Sequence, residues 1–247
     1  MAVAPVTCAR APDPAVAPGR SCERRRSGSS RATLDRAQIV AAAVRIIDGE
    51  GVRALSMRRL AVELGSGVMS VYRHVRDRAE LVDLAFDAVM AEIEPPAPNS
   101  AWDEALAAAV RQLRVTLIRH PNFVELLGAR PALGPHGLRL LETLLGILRA
   151  AGISDVAAYR ATSAAVSYVV GHAVLQVTPA PARAEQGDRP YQPLLDAFGR
   201  RLPAAEFPSL TALVPQLTTD QDADFEYGLE AVLTGIRLSR AGPNREA

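Results

Sequence analysis

Two groups of polar and cationic side chains stand close together between Leu55 and Arg78: Ser56, Arg58 and Arg59, then Ser70, Tyr72, Arg73 and His74, with Val68 and Met69 just ahead of the second group and Arg78 just behind it. This pattern offers no nucleophile paired with a base, no glycine-rich phosphate loop and no metal-ligand spacing. It offers binding chemistry instead. Side chains of this kind on the outer face of a short helix suit the major groove of duplex DNA. The free backbone N–H groups of such a helix start suit phosphate.

The elements that must hold these groups follow from hydrophobic spacing. Met57, Leu60, Ala61 and Leu64 repeat at i, i+3, i+4 and i+7, with Ser56 in front as a cap and Gly65 as a stop. Val68, Val71, Tyr72 and Val75 repeat the pattern on a shorter helix. Two short helices about the turn Gly65-Ser66-Gly67 are the layout of a helix-turn-helix, in which the first helix props the second. The outer face of the second then carries Met69, Ser70, Arg73 and His74, with Val68 in its first turn. Either Ser66 or no side chain caps that helix. Ahead lies a helix with Ile39, Val40, Ala43, Ile46 and Ile47 inward, ended by Gly49 and Gly51. Behind, Asp77-Arg-Ala-Glu80 resembles a capping box and opens a helix predicted to run to Glu94, where Pro95-Pro96 closes it.

Further along, Leu106, Val110, Leu113 and Leu117 form one stripe, and Leu138, Leu141, Leu145 and Leu148 another. A long apolar helix is expected over 154–177, a loop over 178–192, a helix near 193–202, a segment broken by Pro203, Pro208 and Pro215, and a final helix over 221–240 marked by Phe225, Leu229, Val232 and Ile236. No alternating strand pattern competes with these. The expected fold is all-α: a tail over 1–30, a three-helix helix-turn-helix domain over 31–94 and a larger helical domain over 95–241.

Composition narrows the function. The 247 residues are 49% hydrophobic and 22% charged, which is globular. All 28 basic residues are arginine, so Schiff-base, Ser-Lys and P-loop chemistry is excluded. The net charge of +1 conceals an asymmetry. Residues 20–78 hold 13 arginines against 6 acidic residues, and residues 79–247 hold 14 against 20. A basic front and an acidic back place the polyanion at the front. Cys8 and Cys22 both fall in the tail, which reads either as a plain extension or as a basic arm through Arg24, Arg25 and Arg26. Prolines interrupt any signal-like apolar run there, and the charge-free stretch from Ala161 to Ala182 contains Ser163, Ser167, His172 and Gln176. A buried helix is therefore expected rather than a membrane span, and a soluble cytoplasmic protein.

The run from Leu55 to Leu81 resembles the DNA-binding domain of the TetR (tetracycline-repressor-like) transcriptional regulators, the likeness extending over 33–94. Asp224-Phe-Glu-Tyr-Gly-Leu229 followed by Gly235 resembles the last helix of their tetracycline-repressor-type C-terminal domain. The resemblance implies a homodimeric, ligand-responsive regulator that binds a palindromic operator on double-stranded DNA, usually as a repressor. By position it makes Arg58, Val68 and Met69 base-reading residues, with Arg73 reaching a base or a phosphate. Ser56, Ser70, Tyr72, His74 and Arg78 fall at phosphate-contacting positions. The Arg58 fork suits guanine O6 and N7, whereas Val68 and Met69 can touch only thymine methyls.

The resemblance also implies a small-molecule pocket in the C-terminal half. Polar and aromatic residues set among apolar helices are its candidates: Trp102, His120, Phe123, Arg130, Tyr168, His172 and Gln176. Tetracycline repressors carry a metal-ligating histidine just upstream of an Arg-Pro pair. Here the pair is Arg130-Pro131, the matching position is Leu126 and His120 lies too far upstream, so no metal is expected. Dimerisation is expected through 154–177 and 221–240, with Ala157, Ala158, Ala161, Ala164, Ala165, Gly171 and Ala173 permitting close approach either to a symmetry mate or to helices of the same chain. The competing expectation is an all-α small-molecule-binding protein without operator recognition. An enzyme is not expected.

Overall fold

The computed structural model describes residues 34–127, 134–177, 203–213 and 220–241. The regular elements among them are helical: α1 (Arg36–Glu50), a short 3₁₀ turn (Val52–Ala54), α2 (Met57–Glu63), α3 (Val68–Tyr72), α4 (Arg78–Met90), α5 (Trp102–Arg119), a second 3₁₀ turn (Pro121–Phe123), α6 (Val124–Leu127), α7 (Pro135–Ala150), α8 (Asp155–Val177), α9 (Pro208–Leu213) and α10 (Gln221–Ala241). Several sequence expectations fall outside the described residues: the 1–30 tail with its cysteines and basic arm, Arg130, the loop over 178–192 and the helix near 193–202.

Local chemistry sets the boundaries of the first four helices. Asp35 and Gln38 form a complete capping box at α1: the Asp35 carboxylate accepts from the Gln38 N–H at 2.7 Å, and the Asp35 N–H donates to Gln38 Oε1 at 3.3 Å. The Ser56 hydroxyl caps α2 through the Arg59 N–H at 3.1 Å. Asp77 caps α4 through the Glu80 N–H at 2.8 Å. The reciprocal half of that box is absent, because the Glu80 carboxylate takes the Arg76 N–H instead, at 2.8 Å. Helix α4 stops at Met90 and not at Glu94. Beyond Met90 the chain tightens, with the Glu92 N–H donating to the Val89 carbonyl at 3.2 Å and the Ile93 N–H to that of Met90 at 3.3 Å. Pro95 and Pro96, which lack N–H donors, and the first of which disfavours helical backbone at Glu94, keep the helix from resuming.

One continuous core runs from Ile39 in α1 to Ile236 in α10. Helix α4 packs on α1, α5 and α7, and α5 packs on α7, α8 and α10. The stripe expected on α5 is the buried one, Leu106, Val110, Leu113 and Leu117. On α7 the expected stripe holds only in part: Leu148 is buried and Leu145 packs half-buried on the core, but Leu138 is exposed, Leu141 is half-buried, and Gly137 and Leu144 face the core in their stead. The helix carries leucines on more than one side, so periodicity alone fits two phases, and packing against α4, α5 and α8 selects between them. On α8 the small residues divide. Ala158, Ala161, Ala165 and Ala173 are buried within the chain, while Ala164 and Gly171 are exposed. No helix among the described residues is long and apolar enough to cross a membrane.

Candidate nucleic-acid interface and ligand cleft

The outer surface of the first four helices is shaped by what its inner surface buries. Val71 and Val75 are fully enclosed, together with Leu55, Met57, Leu60 and Ala61 of the supporting segment. Helix α3 is therefore fixed in rotation. Gly65, at φ 58°, turns the chain between α2 and α3 where a side chain would be strained. Gly67 is the cap residue of α3 and supplies no side-chain bond, while the Ser66 hydroxyl is buried without a hydrogen-bond partner among the described residues. The first N–H groups of α3 thus have no side-chain cap.

Met69 and Arg73 are outward as the spacing predicts, but Tyr72, expected on the inward repeat with Val71 and Val75, is outward too, because the five-residue α3 buries only Val71. Met69 is 76% exposed and Tyr72 46%. Arg73 is exposed and its Nη2 donates to the Ser70 hydroxyl at 3.0 Å, tying two of the outward groups together. Val68, Ser70 and His74 are half-exposed at the edge of this face, and Ser56 and Arg58 are exposed on α2.

Ion pairing sorts the arginines of this region. Arg59 donates through Nε to Glu50 at 3.1 Å and through Nη1 to Glu63 at 3.0 Å, and its hydrogen bond holds the Glu50 carboxyl below the usual range. Arg36 pairs with Glu80 at 2.7 Å and Arg45 with Glu63 at 3.5 Å. Arg78 donates through Nε to the Leu55 carbonyl and through Nη2 to the Val52 carbonyl, both at 2.6 Å. These bonds give Arg78 a task that sequence reasoning missed: it pins the start of α4 to the chain entering α2. Among the described residues no carboxylate pairs with Arg58, which is exposed.

Besides the shared core, polar side chains among the described residues join the helix-turn-helix segment to the later helices at two places. At the first, the buried His120 lies between Asp48 of α1, with Nδ1 at 3.0 Å from each carboxylate oxygen, and Glu92, with Nε2 at 3.2 Å. Burial pushes the Glu92 carboxyl up, but bonds from His120 and Arg119 outweigh it and hold it low. Asn122 donates to the carbonyls of Ile47 and Asp48 at 2.8 and 3.0 Å. At the second, the buried Asp87 of α4 meets the first turn of α7. Its Oδ1 accepts from the His136 N–H at 2.8 Å, and its Oδ2 faces His136 Nδ1 at 2.9 Å.

The residues expected to line a ligand pocket do not form one site. Tyr168, His172 and Gln176 share a face of α8, and they meet Arg114 and Phe225, which sequence reasoning missed. Tyr168 donates to the Phe225 carbonyl at 2.8 Å and stacks on the Phe225 ring at 5.5 Å. His172 meets that ring edge-on at 5.1 Å, and the buried Arg114 lies over it at 4.6 Å. Arg114 Nη2 also donates to Gln176 at 3.0 Å and to Asp222 at 2.6 Å. Burial, then the Arg114 cation, push His172 below the ordinary histidine value. Gly228 makes the approach of Tyr168 possible, since a Cβ there would collide with the phenol.

This half-buried cluster, with Arg114 and Phe225 at its buried centre, links α5, α8 and α10. His120 and Phe123 belong to the head joint instead, with ring centroids 5.8 Å apart and Phe123 fully buried. Trp102 lies elsewhere again, at the start of α5 beside Asp103, Arg237 and Arg240. A separate cleft lies between α4, α5 and α7. Met90, Ile93, Glu94, Pro95, Pro96 and Ala109 on one side, with His136, Arg139, Leu140 and Thr143 of α7 on the other, enclose about 200 Å³. It is largely apolar, with a cation, an imidazole, a carboxylate and a hydroxyl at its margin.

Comparison with known proteins gives a consistent result. Residues 94–240 match the family model described as tetracyclin repressor-like, C-terminal domain. The HTH-type transcriptional repressor DrrR1 of Streptomyces coeruleorubidus is 34% identical over 87% of this chain and 82% of its own length. The tetracycline repressor protein class G of Vibrio anguillarum is 27% identical over 84% of this chain and 96% of its own. Among solved structures, the Streptomyces coelicolor TetR family protein ActR in complex with actinorhodin superposes with a TM-score of 0.75 at 36% identity, covering 87% of this chain and all of that one.

Proposed function

Because the chain belongs to the tetracycline-repressor-like family of helix-turn-helix transcriptional regulators, we propose that it represses transcription as a cytoplasmic homodimer and releases its operator when a small molecule enters the cleft between α4, α5 and α7. The observation that carries this reading is the rotation of α3. Val71 and Val75 are buried while Met69 and Arg73 point out, and Arg58, exposed and without an ion pair among the described residues, stands on the supporting helix. Base readout falls to Arg58, Val68, Met69 and Arg73, and backbone positioning to Ser56, Ser70, Tyr72 and His74, with Arg78 acting through its hold on the α2 entry. The protein works by binding and not by catalysis. A domain boundary near residue 94 suits this division of labour, although the hydrophobic core passes across it.

The ligand side follows from energetics. A molecule that binds both arrangements of the head equally changes nothing; release needs preference for the arrangement that cannot grip DNA. ActR was solved with actinorhodin, and the apolar cleft with a polar margin supports a small organic effector here too.

The test is selection of DNA by the full-length chain from a random pool, followed by titration at several salt concentrations. Enrichment of a pseudo-palindrome, with affinity falling steeply as salt rises, is expected. Failure to enrich any sequence at low salt would instead favour a small-molecule-binding protein without operator recognition.

A further inference from the structure

Asp87 is a charged residue of a head helix placed inside the body. Its Oδ1 accepts from the N–H groups of His136 at 2.8 Å and Gly137 at 3.3 Å, the first donors of α7. The residue at the cap position of α7, Gly134, offers no side-chain bond of its own. The cap therefore comes from α4, and a carboxylate there is also favoured by the dipole of the 16-residue α7. Gly134 fits this arrangement: a Cβ at that position would collide with the Asp87 carboxyl group. His136 serves two places at once, since its Nδ1 faces Asp87 Oδ2 at 2.9 Å and the residue also lines the cleft.

The cleft of about 200 Å³ is smaller than the roughly 300–1,000 Å³ usual for small-molecule sites. An occupant of ordinary size would press on its walls, the end of α4 and the first turns of α7. The Asp87 bonds span those walls. Nine residues back along α4, roughly 13 Å by helical rise, Arg78 holds the carbonyls of Val52 and Leu55 ahead of α2. A shift of α4 at Asp87 thus reaches the DNA-reading helices through bonds already in place.

We propose that Asp87 is the coupling residue of this protein: its carboxylate, shared between α4 and the start of α7, transmits occupancy of the cleft to the DNA-binding head. This rests on the cleft being the effector site. The test needs no knowledge of the natural effector. In a full-length chain carrying Cys8→Ser and Cys22→Ser, Thr143→Cys places a thiol in the cleft wall, and N-benzylmaleimide fills the cleft covalently. Affinity for the selected operator is then measured before and after labelling, with Asp87 intact and in Asp87→Ala.

Labelling is expected to weaken binding about tenfold or more with Asp87 present and less than about twofold without it. Equal weakening in both chains overturns the coupling role while leaving the cleft reading standing. No weakening with Asp87 present overturns the cleft reading and the coupling with it. Asp87→Asn and Gly134→Ala provide folded alternatives if Asp87→Ala does not fold. The first removes the charge and the second displaces the carboxylate, and each must reduce the labelling effect for the proposal to hold.

Discussion

The imidazole of His120 places Nδ1 at 3.0 Å from both carboxylate oxygens of Asp48, joining the last turn of α1 to the end of α5. Its other nitrogen meets Glu92 at 3.2 Å. A histidine expected to contact a ligand is instead a strut under the DNA-binding head. His120→Phe preserves an aromatic ring against Phe123 but removes both polar contacts. We expect a loss of about 1–3 kcal/mol, the range for hydrogen bonds to charged groups whose partners stay part-buried. A fall in the urea midpoint at constant slope would show it; an unchanged midpoint would mean that the Asn122 bonds and the Arg119–Glu92 pair hold the joint without the imidazole.

Arg58 and Arg59 are adjacent yet differ in every relevant respect. Arg58 is exposed without an ion pair among the described residues, and Arg59 is held by Glu50 and Glu63. Arg58→Ala should weaken operator binding by about 1–3 kcal/mol and relax preference at one base pair. Arg59→Ala should leave sequence preference intact. Competition of the selected operator against single-base variants separates the two outcomes, and equal loss on specific and random DNA would remove Arg58 from the base-reading set.

The contrast shows where sequence reading succeeds and where it stops. The helix-turn-helix is legible because its inward residues sit at 3.6-residue spacing, and Val71 and Val75 need only local geometry to be placed. Tyr168, His172 and Gln176 are legible as one face for the same reason. Arg114 and Phe225, which complete that cluster, come from α5 and α10, and no periodicity reports which helices meet. A partial signal exists for Arg114, a charge between Leu113 and Leu117 on a buried stripe. Asp87 has none: it reads as an ordinary surface acid until the start of α7 is placed over it.

His172 carries a pH signature. Burial and the Arg114 cation depress its pKa, against the smaller upward pull of Asp224 and Asp222, and its buried Nδ1 has no hydrogen-bond partner among the described residues. The unfolded chain therefore takes up a proton more readily than the folded one. Stability contributed by the neutral ring is full above the ordinary value of 6.5 and declines as pH falls below it toward the depressed folded value. His172→Gln should flatten the fall in urea midpoint between about pH 6.5 and 5 relative to the parent chain. Parallel pH profiles would contradict the assignment.

Helices α8 and α10 pack together within the chain yet leave large apolar groups uncovered. Tyr227 is 82% exposed and Leu238 69% on α10, and Tyr159 67% and Val156 61% on α8. On α10 these residues lie opposite the buried series Phe225, Leu229, Leu233 and Ile236, so this second apolar side is not explained by the chain's own core. In a twofold assembly the same surfaces would meet their copies and exclude water. Tyr227→Glu combined with Leu238→Glu sets like charges face to face in such an assembly while touching no core residue. Sedimentation should show monomer, the melting temperature should become independent of protein concentration, and operator affinity should fall steeply, because a palindrome is gripped by two heads at once. A variant that stays dimeric with parental operator affinity would move the interface to another face of the molecule.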